Sequence, residues 1–345
     1  MKAVGRWWAV VAIVCLFVWS SGCEGDFPPG PFPPEFPPLS DAIPYDALAP
    51  GMLVFQRIGP PENRYVGTYV VATAMRRSLE ISKLRINDPA VSPDGQRFAF
   101  TTYTTVPTSE DVFIMANDAT EHHWVSDIEG RERSPSWTFD GKQILYFSVP
   151  FASNGDSIQL YRQSPVRGAR DRKLVFDSGK EHPRIRLRGP VSASPTGELL
   201  VAGDGIWMIS GDNADANLLI PPPGGGRELH SPVWSPDGKS IAVLSVTRHA
   251  GRTTSVAVVV YAAGTGADTL VSLPASSATE WPGNNNHSLC WSPDGSQIAF
   301  TRPDGRDVGA HIYVIRADKT GLTQVTLAEG VTDRSLSWGA EIPSQ

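Results

Sequence analysis

Residues 231–244 read SPVWSPDGKSIAVL. Within them, Ser235-Pro236-Asp237-Gly238 has the chemistry of a tight hairpin turn. Pro sets φ near −65°, Asp bonds back to the turn backbone, and Gly takes the left-handed position. Bulky Trp or Val before the turn and alternating apolar residues after it supply buried strand faces. The unit recurs as PAVSPDGQRFAF (Pro89–Phe100), SPSWTFDGKQILYF (Ser134–Phe147), GPVSASPTGELLVA (Gly189–Ala202) and SLCWSPDGSQIAF (Ser288–Phe300). Aligned on Ser92, Thr138, Ser194, Ser235 and Ser292, the copies lie 46, 56, 41 and 57 residues apart. A sixth strand, SLSWGA (Ser335–Ala340), follows 47 residues after the fifth. Periods of this size mark solenoids, propellers or arrays. Two copies depart from the pattern: Phe139 replaces Pro and Thr196 replaces Asp, and both keep the Gly.

Downstream of each turn lie further short strands, such as Val112–Ala116 (VFIMA) and His311–Arg316 (HIYVIR), each followed by a polar turn and one more strand. About four strands per repeat make a propeller blade. The chain starts its folded part with MLVFQR (Met52–Arg57), which has the pattern of a blade's second strand, and ends on a lone inner strand, Ser335–Ala340. The C-terminal strand is therefore expected to complete the first blade, giving five full blades and one composite, six in all. Closure of the ring protects edges that an open array would expose. The motif W-S-P-D-G-x-x-I-A-F, followed by I-Y-V-x-x-A-D-x-x-G, resembles the WD-like repeat of TolB-type propellers over roughly residues 50–340. That resemblance implies an all-β, six-bladed β-propeller of four-stranded blades and protein or peptide partners in the periplasm.

The N-terminus reads as an address. Lys2 and Arg6 precede an uncharged apolar run, Trp7 to Trp19, too short to span a bilayer and of signal-peptide length. It ends in Ser20-Ser21-Gly22-Cys23, which resembles the lipobox of bacterial lipoproteins, with Ser20 where Leu is preferred. This implies a signal peptide over 1–22 and lipidation at Cys23. Glu24, in place of the Asp associated with inner-membrane retention, points to the outer membrane, with the domain facing the periplasm. The stretch FPPGPFPPEFPP (Phe27–Pro38) favours extended polyproline II, a semi-rigid stalk. The expected organisation is thus a lipidated Cys and Pro-rich tether over 23–45, then a propeller over 46–345. Cys290, alone in the folded part between Leu289 and Trp291, reads as an inert core thiol.

In such a propeller the short SPDG turns and the c–d turns share one face. The long irregular stretches, among them Arg248–Thr253 and Pro274–His287, fall on the other, where variable loops carry binding. Five residues before each aligned turn stand Asn87, Arg133, Gly189, His230, His287 and Arg334. Arg133, His230, His287 and Arg334 are the candidate binding residues, arranged around the channel mouth to receive an anion. The alternative reading is local pairing with acids such as Asp88, Glu132 and Glu228. The net charge of −6 argues against a general nucleic-acid binder. No nucleophile elbow, HExxH or P-loop occurs. The expectation is a monomeric, non-catalytic envelope lipoprotein without cofactor or metal that binds a protein or peptide. A polysaccharide lyase or glycosidase, or a glycan- or small-molecule-binding lipoprotein, are the alternatives. His230 with His287 would be a thin basis for a metal site, and the adjacent His122 and His123 should point to opposite faces of a strand.

Overall fold

Every SPDG unit folds as its residues dictate: an inner strand, a tight turn, and a second strand antiparallel to the first. The computed structural model describes residues 39, 42–60, 66–82, 86–103, 110–117, 122–125, 130–151, 157–181, 188–211, 216–250, 252–262, 266–274, 288–304 and 309–341. These form six four-stranded antiparallel blades. Blade II comprises Ile86–Val91, Arg97–Tyr103, Glu110–Ala116 and His122–Trp124. Blade III comprises Gly130–Trp137, Ile144–Pro150, Gln159–Gln163 and Lys173–Asp177. Blade IV comprises Arg188–Ala193, Leu199–Ala202, Ile206–Ile209 and Ala216–Ile220. Blade V comprises Arg227–Trp234, Ser240–His249, Arg252–Ala262 and Gly266–Pro274, and blade VI Leu289–Trp291, Gln297–Asp304, Gly309–Arg316 and Thr323–Gln324.

Blade I is composite. Its inner strand is the C-terminal Thr332–Gly339, which pairs with Met52–Ile58; Val66–Ala72 and Arg77–Ser82 complete it. The expected closure is therefore present. Arg57 and Asp333 face each other in that pairing and form a buried, two-pronged ion pair, Nε to Oδ1 at 2.7 Å and Nη2 to Oδ2 at 2.9 Å. Around the axis each inner strand packs beside the next, and the inner strand of blade VI meets that of blade I.

The apolar residues do not make one central core. Because side chains alternate across each strand, neighbouring positions serve opposite seams. Leu53 and Phe55 pack toward blade VI with Ile312 and Val314, while Met52 and Val54 pack toward blade II with Val91 and Phe98. Six clusters result, one in each seam between blades. Trp137, Trp234, Trp291 and Trp338 each sit in or against such a cluster, as expected of inter-blade packing residues. Trp137 also donates its indole N–H to the Ala90 carbonyl across the seam (3.2 Å). Cys290 lies in the seam between blades VI and I, and burial pushes its thiol well above the ordinary range.

The seam between blades VI and I carries an extra cover. Ile43, Leu48 and Ala49 join its cluster, with Leu39 and Tyr45 packed against it. Gln297 brackets this segment, accepting from Ala49 N and donating to the Ala47 carbonyl (both 2.7 Å). Asp46 pairs with Arg76, whose guanidinium stacks over Tyr45. Leu39, Ile43 and Tyr45 were expected in the tether. They belong to the packed body, because apolar side chains interrupt the proline run there.

The turns explain the departure at Thr196, and nothing in the structure explains Phe139 in place of Pro. In four of them a Ser or Thr hydroxyl donates to the Asp two residues on: Ser92 to Asp94 (2.5 Å), Thr138 to Asp140 (2.8 Å), Ser235 to Asp237 and Ser292 to Asp294 (both 2.6 Å). The same carboxylate accepts a backbone N–H two residues further on. Blade IV has Thr196 in place of Asp, and its carboxylate comes from Glu198, which accepts from the hydroxyls of both Ser194 and Thr196. The irregular stretch expected at Arg248–Thr253 is instead the tip of a long hairpin, in which His249 pairs with Arg252.

Candidate binding site at the channel mouth

The six inner strands enclose a cavity of about 500 Å³ on the propeller axis. Its shape is set by a device repeated along the inner strands. In blades II, III and V one extra residue interrupts the pairing with the second strand, between Asn87 and Ala90, Arg133 and Ser136, and His230 and Val233. Blade I has the same irregularity opposite Val54 and Gln56. At each bulge one residue adopts the left-handed conformation: Asp88 (φ 49°), Ser134 (49°), Gly189 (82°), Ser231 (47°) and Ser335 (53°). A bulge bends its strand and re-aims its side chains. These five residues and Ser288 of blade VI all line the cavity as a polar collar.

One residue nearer the loop face lies the predicted ring. Arg133 and His230 line the cavity. Arg133 donates from Nε to Glu110 Oε2 of blade II (3.0 Å), and its side chain is 43% exposed. Among the described residues that is its one side-chain hydrogen bond. His230 is buried, with Nε2 3.2 Å from Glu228 Oε2, a carboxylate that Arg248 also approaches at 3.5 Å. Arg334 donates from Nε to Gln56 Oε1 (2.5 Å), and Gln56 reaches on to Asn87 Oδ1 (3.2 Å) and the Ile86 carbonyl. Local pairing thus anchors the three described ring residues, and Arg133 keeps an exposed guanidinium edge. His287 and Cys23 lie outside the described residues.

The register corrects one member of the ring. Asn87 pairs with Thr101, Arg133 with Phe147 and His230 with Leu244, and the equivalent pair in blade IV is Arg188 with Ala202. Blade IV has an additional residue between Pro190 and Ser194, so counting back five residues stops at Gly189. Gly189 belongs to the collar and Arg188 to the ring. The Gly-Pro, Ser-Pro and Asp-Pro pairs at 189–190, 134–135, 231–232 and 88–89 are the sequence signal for this alignment.

Asp88 is the charged member of the collar. Its Oδ2 accepts from Ser134 N (3.2 Å) and Ser134 Oγ (3.4 Å) of blade III, and its Oδ1 from Ser335 Oγ of blade I (3.0 Å). Ser288 Oγ accepts from Leu336 N (2.6 Å). Among the described residues, no set of three His, Cys, Asp or Glu side chains converges as a metal cage would require. No helix among them is long and apolar enough to cross a membrane.

In comparison with known proteins, the sequence matches no protein-family model and no curated protein. The fold has many likenesses. TolB from Acinetobacter baumannii aligns with a TM-score of 0.63 at 18% identity, over 84% of this chain and 67% of that one. The hydrazine synthase of Kuenenia stuttgartiensis aligns with a TM-score of 0.59 at 12% identity, over 85% of this chain and 47% of that one. An oligogalacturonate lyase from Vibrio parahaemolyticus aligns with a TM-score of 0.51 at 10% identity, over 81% and 82%. The fold is a TolB-like six-bladed propeller. At these identities the likeness extends to architecture alone, and proteins of differing activity share it.

Proposed function

We propose that this chain is a non-catalytic lipoprotein of the cell envelope whose propeller binds a protein or peptide at the channel mouth. The observation that carries the reading is the axial cavity with Arg133 at its rim. A rigid ring presents a half-exposed guanidinium held by one bond, with Arg334 and the register position of Arg188 around the same axis. Charge-assisted bonds to a carboxylate are stronger where the mouth excludes water. The envelope location rests on the signal-like run before Cys23 and on the TolB-like fold. Lipid attachment at Cys23 and an outer-membrane site follow from that run and from Glu24.

Two experiments test it. Membrane fractionation with acyl labelling compares wild type with Cys23→Ala: the label and the membrane association should both disappear. Unlabelled wild type would remove the anchor from the reading. Capture of partners from envelope extract compares wild type with Arg133→Ala/Arg334→Ala, which touches no SPDG turn and no seam Trp. Retention of the same partner at the same affinity would exclude the mouth as the binding face.

A further inference from the structure

The collar one residue inside the mouth has a chemistry of its own. Ser134 and Ser335 commit their hydroxyl protons to Asp88, from blades on either side of it. A hydroxyl has one proton and two lone pairs, so these two groups show the channel only acceptors. Asp88 adds a carboxylate, and among the described residues no basic side chain bonds to it. Gly189 leaves a gap in the collar: a Cβ there would meet nothing closer than Ser231 Oγ at 3.6 Å. An acceptor-rich collar with one fixed negative charge, inside a cavity of about 500 Å³, is complementary to a group that only donates.

We propose that the channel seats a primary ammonium group against Asp88, with the Ser134 and Ser335 hydroxyls as co-acceptors, and that this group is the free amino terminus of an acidic peptide. The ammonium's three N–H bonds find three oxygens: one from the Asp88 carboxylate and one from each hydroxyl. A bare polyamine meets the basic ring first and is repelled. A peptide whose amino terminus is followed by carboxylates satisfies both layers, its ammonium in the collar and its acids on the Arg133 and Arg334 guanidinium groups. The inference rests on the mouth as binding face and adds the polarity and end of the ligand that enters it.

The test uses the folded chain and two probes, the tetrapeptide amide Ala-Glu-Glu-Gly with a free amino terminus and the same peptide N-acetylated. Binding is read by titration with NMR detection, which registers millimolar affinities. The free peptide should bind at least about tenfold tighter, the scale of one charge-assisted hydrogen bond. Asp88→Ser should abolish that preference. It will fold, because Ser already occupies the equivalent bulge in blades I, III and V at φ of 53°, 49° and 47°. Equal binding of the two peptides, binding of neither, or a preference that survives Asp88→Ser overturns the ammonium seat. If both bind equally and Arg133→Ala weakens both, the seat falls and the mouth reading stands. If Asp88→Ser removes the preference while Arg133→Ala/Arg334→Ala leaves the binding of both peptides unchanged, the mouth reading falls and the seat stands.

Discussion

Gly95 and Gly295 occupy the same place in the turns of blades II and VI, with nearly the same backbone, φ 72° and 70°. Replacing either with Ala puts an L residue in the left-handed region, at a cost of about 1–2 kcal/mol. What differs is the space. A Cβ on Gly295 meets only Pro236 Cδ at 3.6 Å, ordinary contact. A Cβ on Gly95 falls 2.1 Å from the backbone carbonyl oxygen of Ala340, where no flexible side chain can give way. Ala340 follows the closing strand and bonds back to the Pro93 carbonyl (3.4 Å). Relieving the clash therefore means shifting the segment that closes the ring. Overpacking of this kind adds typically 1–3 kcal/mol. Gly295→Ala should thus destabilise by about 1–2 kcal/mol and Gly95→Ala by about 2–5 kcal/mol. Urea denaturation midpoints at constant slope give both numbers. Equal losses would refute the placement of Ala340 over the blade II turn; two neutral variants would refute the left-handed turn itself.

Deleting residues 335–345 should leave the first blade without most of its inner strand and expose an edge, so the truncated protein should aggregate or melt early in light scattering and calorimetry. Asp333→Asn removes the charge opposite the buried Arg57 and should lower stability by about 3–5 kcal/mol, whereas an unchanged midpoint would contradict the buried pair. The turn carboxylates supply an acid transition. At Asp140 and Asp237 the neighbouring hydroxyl and amide hold the carboxyl below its usual range. At Asp94 and Asp294 burial raises it, but the hydroxyl and amide donors outweigh that. Glu198 is lowered by the Ser194 and Thr196 hydroxyls. Lowered carboxyls stabilise the fold above their unfolded pKa of about 4 and lose that contribution as pH falls through the folded values. Melting temperature should accordingly drop as pH falls below about 4, and Glu198→Gln should flatten the part due to blade IV. Cys290 should resist iodoacetamide in native protein near neutral pH and react on unfolding; rapid native labelling would contradict its burial.

The fold was legible because its information is local and repeated. Ser235 to Gly238 specify a turn wherever they occur, and the recurrence of Trp234 at Trp137, Trp291 and Trp338 marks the seams. The composite blade was legible from the mismatch between a chain that starts on a second strand and ends on a first. What stayed hidden depends on contacts across long separations or on counting errors of one residue. Nothing near Arg57 announces Asp333, 276 positions away. Glu198 replaces the missing turn carboxylate from a position the motif does not use. The collar was missed because bulges shift pairing by one residue, and the residues involved look like ordinary strand. The additional residue of blade IV made Gly189 stand in for Arg188. Asp88 was read as an opponent of the basic ring, yet its bonds go to serines, since it points from a different layer.

The segment over the last seam fixes how the ring meets whatever lies outside it. Residues 42–50 lie beside Arg76 and Gln297, and Glu341 accepts from Ala74 N and Met75 N at the third turn of blade I. All of these belong to the face of the SPDG turns. Among the described residues, both ends of the body therefore meet it on one side, while Arg133 and His230 line the cavity toward the other. From residue 42 inward, Tyr45 and Asp46 engage Arg76 and then Ala47 and Ala49 bond Gln297, so this segment is fastened at the joint where the circle is closed.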